Sequence, residues 1–142
     1  MRALLACRLL KHAGMKQLMK PHRLLLVDDQ QAVLFAMGDY LSWAGFQVDM
    51  ASALEEAQAL LNGRSYAAVV ADLRLVGDDP RPGLEVIATA RALSAKTRIV
   101  LMSADEVDET AARRHGADVV LQKPKPLQEV ADCLITLLEG KV

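Results

Sequence analysis

Five polar residues stand directly after short apolar runs, and their types suggest one kind of chemistry. Asp28 and Asp29 follow RLLLV, Asp72 follows YAAVVA, Ser103 follows RIVLM, and Lys123 comes just beyond ADVVL. Carboxylates brought together repel, so three of them either hold a cation or share a proton. Oxygen-only ligands favour a hard ion, Mg²⁺ or Mn²⁺, with several waters retained. A Lys ammonium and a Ser hydroxyl at the same rim would suit an anion bound to that metal. Phosphoryl fits, because catalysis of its transfer is mostly positioning and charge neutralisation.

Such a site needs a scaffold that brings distant segments to one edge, and the chain from residue 23 has the pattern of one. Arg23–Val27, Phe46–Met50, Tyr66–Ala71, Arg98–Met102 and Ala117–Leu121 read as strands, the first a continuous apolar run typical of a strand buried on both faces. Between and after them lie helical patterns. Gln31–Ala44 stops at Gly45, and Ser52 with Glu55 forms a capping box opening a helix through Leu61. Gly83–Ser94, Asp105–His115 and Leu127–Glu139 follow. Five strands alternating with five helices predict an α/β, doubly wound, five-stranded parallel sheet. In such a sheet function collects beyond the carboxyl ends of the strands, where the five residues fall.

Composition narrows the function further. The 142 residues carry 17 Lys+Arg and 18 Asp+Glu, a net charge of −1. Six of the basic residues and no acid lie in residues 1–23 (Arg2, Arg8, Lys11, Lys16, Lys20, Arg23), so the remainder carries −7. An acidic body with five aromatics lacks the footprint and the stacking platforms of a nucleic-acid binder. Cys7 and Cys133 have neither metal-ligand spacing nor the density of a disulfide scaffold, which fits a reduced, cytoplasmic setting. No apolar run approaches the ~20 residues of a membrane span. Residues 1–22 read as a basic extension, either a disordered tail, a short helix with Leu5, Leu9 and His12 on one face, or sequence upstream of a start at Met15 or Met19. Trp43, Phe46 and Cys133 read as core. His115 reads as a cation at a helix C-terminus.

The segments LLLVDDQ (Leu24–Gln30), VVADLRL (Val69–Leu75), IVLMSAD (Ile99–Asp105) and GADVVLQKPKP (Gly116–Pro126) resemble, in order and spacing, the motifs of response-regulator receiver domains, the CheY-like family. The resemblance covers roughly residues 23–140 and implies a flavodoxin-like sheet of strand order 2-1-3-4-5. It implies that Asp72 accepts a phosphoryl group from a sensor histidine kinase or a histidine phosphotransfer protein. Asp28, Asp29, Asp72 and the backbone carbonyl of Arg74 would hold Mg²⁺. Ser103 would be the switch hydroxyl, Lys123 the phosphate-pairing lysine, and Lys123-Pro124 a cis peptide. The chain would then be a stand-alone response regulator, not an enzyme, signalling to an unidentified protein target as a monomer or weak homodimer. The alternative is a receiver-like interaction module that works without phosphorylation. A dehalogenase-type phosphatase fits less well, since Arg74 replaces its second aspartate.

Three departures from the family pattern stand out. Val120 occupies the place of the usual aromatic switch residue, and either alters the switch or simply packs. Gly83 follows Asp72 by eleven residues instead of about eight. Arg74 and Asp105 flank the expected phosphoryl site; they either pair across it and slow its hydrolysis, or remain two solvated charges.

Overall fold

The computed structural model describes residues 18, 20–75, 77 and 79–140. The readings made for residues 1–17 lie outside them. Five strands, β1 (Arg23–Val27), β2 (Gln47–Ala51), β3 (Ala68–Asp72), β4 (Arg98–Ser103) and β5 (Val119–Gln122), form one sheet of order β2-β1-β3-β4-β5. Every neighbouring pair is parallel. The helices are α1 (Gln31–Trp43), α2 (Leu54–Gly63), α3 (Arg81–Leu93), α4 (Glu109–His115) and α5 (Leu127–Glu139). Doubly wound topology and strand order both match the expectation.

Strand periodicity explains the layering. Leu24, Leu26, Val70, Val100 and Met102 point to one face and pack with Leu34, Leu41, Val130 and Leu134 of α1 and α5. Leu25, Val27, Val69, Ala71, Ile99 and Leu101 point to the other and pack with Ala57, Leu61, Val86, Ile87 and Ala112 of α2, α3 and α4. Both faces are covered, so β1 and β3 carry unbroken apolar runs instead of alternation.

Local chemistry moved several boundaries. Helix α3 begins at Arg81, not Gly83, because Pro82 lies in its first turn, where a missing N–H costs nothing. Helix α4 begins at Glu109, not Asp105, because the Asp108 side chain accepts from the N–H groups of Thr110 and Ala111 (3.0 and 3.2 Å) and caps it there. The capping box at Ser52 is displaced: Ser52 Oγ donates to Glu56, not Glu55, at 2.8 Å, and Ala53 is the N-cap residue. Phe46 is buried, but Trp43 is 43% exposed on the outer side of the last turn of α1. Cys133 is half-buried. His115 ends α4, its Nδ1 2.8 Å from the Ala111 carbonyl oxygen.

Candidate functional site

The carboxyl ends of β1, β3 and β4 meet because the strands are in close register. Val27 lies beside Ala71, and Asp72 beside Met102. Asp28 leaves β1, Asp72 ends β3, and Ser103 ends β4. Carboxylate oxygens of Asp28, Asp29 and Asp72 all lie within 4.8 Å of one another. Asp28 is buried, Asp29 is exposed, and the Asp72 side chain is 11% exposed. The Asp28 carboxylate is held in place by the Gln30 N–H (2.9 Å), and that of Asp72 by the Arg74 N–H (3.3 Å).

Lys123 is brought in from 95 residues away by the β5–α5 connection. Its Nζ donates to Asp28 Oδ2 at 2.8 Å and to Asp72 Oδ2 at 3.3 Å. Its own N–H donates to the Ser103 carbonyl oxygen at 2.7 Å. The Lys123-Pro124 peptide is cis, as the resemblance implied. Ser103 is fully buried, and its hydroxyl oxygen accepts from the Asp105 N–H at 3.2 Å.

The electrostatics follow from this packing. Burial raises the Asp72 pKa above the ordinary carboxylate range. The Lys123 charge opposes that shift and the Asp28 charge adds to it. Burial works against the Lys123 ammonium too, but the hydrogen bond and charge of Asp28, then Asp72, outweigh it and raise its pKa. Three carboxylates against one ammonium leave an excess of two negative charges in a recessed pocket. A divalent cation has the matching charge, and an all-oxygen donor set suits Mg²⁺.

Arg74 Nη2 lies 2.9 Å from Asp105 Oδ2, so these two side chains pair across the mouth of the site. Val120 packs against the α2–α4 side of the core, opposite Leu101 in the ladder. An apolar groove of about 390 Å³ opens beside Lys123, lined by Val33, Met37, Met102, Pro124 and Leu127 among others.

The structure therefore joins Asp28, Asp29, Asp72 and Lys123 in one cluster, with Ser103 at the adjoining strand end and Arg74 at the rim. Gly83 is a positioning residue that motif spacing alone did not explain. A Cβ there would sit on the Leu73 carbonyl oxygen and 2.6 Å from that of Asp72. Helix α3 can approach the end of β3 this closely only without a side chain. The extra loop residues between Asp72 and Gly83 leave that contact intact.

Comparison with known proteins places these features in a family. A family model described as "Response regulator receiver domain" matches residues 24–134. The chain is 32% identical over 114 residues to the photosynthetic apparatus regulatory protein RegA of Rhodobacter capsulatus, covering 79% of this chain and 60% of that protein. It is 36% identical over 107 residues to the alginate biosynthesis transcriptional regulatory protein AlgB of Pseudomonas aeruginosa, covering 74% of this chain and 23% of that one. Among solved structures, a response regulator from Burkholderia pseudomallei with a phosphorylated aspartic acid, calcium ion and citrate superposes with a TM-score of 0.71 at 26% identity, covering 84% of this chain and 70% of that chain. A CheY-like receiver domain protein from Methanospirillum hungatei shares the fold, with a TM-score of 0.77 at 21% identity over 85% of this chain and 96% of that chain.

Proposed function

The chain belongs to the response-regulator receiver-domain family, and from that premise we propose that it is a phosphorylation-controlled switch with Asp72 as phosphoacceptor. Receiver domains of this family are signalling modules of two-component systems, paired with histidine kinases and downstream partners. We take residues 23–140 as the receiver and residues 1–22 as an extension outside it. The observation that carries the reading is the contact of Lys123 with both Asp28 and Asp72 at one rim.

In the proposed reaction an oxygen of the Asp72 carboxylate attacks the phosphorus of a phosphohistidine. A P–O bond forms and the P–N bond breaks. Its electron pair returns to the imidazole nitrogen, which takes up a proton. Lys123 Nζ, already at the site, pairs with the phosphoryl oxygens as charge gathers on them. Asp28, Asp29, Asp72 and the Arg74 carbonyl would hold Mg²⁺, which when bound neutralises phosphoryl charge. A new phosphate oxygen on Asp72 can then accept from the Ser103 hydroxyl and draw Oγ away from the Asp105 N–H that donates to it. Moving that hydroxyl reshapes the segment from Ser103 to Asp108 that leads into α4. The groove at Val33, Met37, Pro124 and Leu127 gives a phosphodonor protein an apolar footing beside the nucleophile.

Removing the metal tests the chemistry. With acetyl phosphate as donor, phosphorylation is expected in Mg²⁺ and lost in excess chelator, and calcium or manganese should support it to different extents. Phosphorylation that persists unchanged in chelator would contradict the cation's role.

The Arg74–Asp105 pair concerns the lifetime of the switch. Both side chains are partly exposed (34% and 53%), so the pair adds little stability, about 0–1 kcal/mol. Its position matters more, because each partner lies two residues beyond a strand-end residue of the site, Asp72 or Ser103, where the pair would screen phosphorylated Asp72 from water. Arg74→Ala is expected to speed loss of the phosphoryl group by up to about tenfold, the equivalent of ~1.4 kcal/mol in the barrier. The decay rate of the phosphorylated chain measures this, and an unchanged rate would show that the pair does not screen the site.

A further inference from the structure

We propose that the apolar groove beside Lys123 selects among small phosphodonors, making acyl phosphates with longer apolar chains better donors than acetyl phosphate; the inference rests on Asp72 being the phosphoacceptor. Groove and nucleophile share walls. Val33, Met37 and Met102 line the groove, and the same three residues line the small cavity bounded by Asp28 and Asp72. Lys123 joins the two, since it lines the groove and its Nζ reaches Asp72 Oδ2 at 3.3 Å. A phosphoryl group at Lys123 therefore leaves its substituent at the mouth of an apolar channel.

Size and charge define the donor. At about 390 Å³ the groove is as large as ordinary small-molecule sites, which run from about 300 to 1,000 Å³. Met37 and Met102 in its wall are buried, and methionine adapts to chains of different length. The charged residues lining it are Lys123 and Lys125, the latter 3.7 Å from Glu129; no described acid lines it. A second recess, beside Ser103, has the opposite character: Asp105, Glu106 and Glu109 line it and repel an anion. A donor that is anionic at one end and apolar at the other thus suits the groove and not the recess. In the transfer an oxygen of the Asp72 carboxylate attacks phosphorus and forms a P–O bond. The bond from phosphorus to the acyl oxygen breaks, and its electron pair leaves on the fatty carboxylate, which needs no proton at neutral pH. The chain lies away from the reacting bond, so its contacts act on KM more than on the maximal rate.

The test compares acetyl, butyryl and hexanoyl phosphate as donors to the full chain in Mg²⁺. Full burial of a methylene is worth about fourfold, and an open groove about half that, so hexanoyl phosphate should react roughly fifteenfold faster than acetyl phosphate at low donor concentration. The advantage should sit in KM. With Val33→Thr and Leu127→Gln together the ratio should fall below about fivefold, because a polar wall keeps its water; taking the ratio cancels damage common to all donors. A second readout involves no transfer. Hexylphosphonate, but not methylphosphonate, should shift the methyl resonances of Met37 and Met102 and spare that of Met50, which is exposed on β2. Equal rates for the three donors, a ratio indifferent to the two substitutions, or a Met50 shift as large as the others would overturn the proposal and leave Asp72 as phosphoacceptor. Absence of an adduct with every donor would overturn the switch itself, and this proposal with it.

Discussion

Lys123→Ala is expected to slow phosphorylation of Asp72 by about 10²–10³-fold, the cost of losing one preorganised charge donor at a reacting group. The same variant should bind Mg²⁺ more tightly, by about tenfold or more, because a positive charge beside the three carboxylates has gone. These opposite signs separate a role in chemistry from general damage, which would weaken both. The cation-free variant should also be less stable. Lys123 is the side-chain cation paired with buried Asp28, and breaking such a pair from one side costs about 3–5 kcal/mol. Added Mg²⁺ should recover much of that loss. Acetyl phosphate kinetics, a metal titration and thermal melts with and without Mg²⁺ check the three parts. Weakened metal binding alongside slow phosphorylation would show that Lys123 organises the pocket instead of countering its charge.

Gly83→Ala carries the other large effect, and its sign is diagnostic. Helix propensity alone would make alanine at this site stabilising, by about 1 kcal/mol. Packing predicts the reverse. The added Cβ meets two backbone carbonyls, those of Leu73 and Asp72, and neither can rotate away. Helix α3 must then move off β3, at a cost of roughly 3 kcal/mol, or a fall in melting temperature of about 10 °C for a domain of this size. Asp72 is the residue whose carbonyl is pushed, so phosphorylation should fall with stability. A melting temperature at or above that of the original chain would show that the close approach of α3 does not exist.

Both predictions concern contacts that the sequence reveals unequally. The cluster of Asp28, Asp29, Asp72 and Lys123, with Ser103 at the adjoining strand end, was legible because parallel strands place all their carboxyl ends on one edge. Finding the strands therefore finds the site. The apolar runs marked those strands well, and β1 and α5 agree with their expected bounds residue for residue. The Arg74–Asp105 pairing was legible as one of two readings, since both residues sit two positions beyond a strand-end site residue. Local turn chemistry was read less well. Pro80 and Pro82 looked like loop, although Pro82 is compatible with the first turn of α3. The acidic stretch Asp105–Glu109 looked helical, but Asp108 caps α4 and confines the preceding residues to the loop. Contacts fixed only by tertiary packing left no trace in the pattern. His22 meets Glu139 across 117 positions, and Gly83 meets Leu73 through a helix approach that no periodicity encodes. Trp43 misled because an aromatic beside Gly45 reads as core, whereas it occupies the outward side of the last turn of α1.

The most direct test of the switch is the intact mass of the full chain after incubation with acetyl phosphate and Mg²⁺. One phosphoryl group is expected to be added, labile to hydroxylamine as an acyl phosphate must be, and absent from Asp72→Asn. No adduct on the folded chain would contradict the account and favour an interaction module that works without phosphorylation. An adduct that survives in Asp72→Asn would place the chemistry at a different residue.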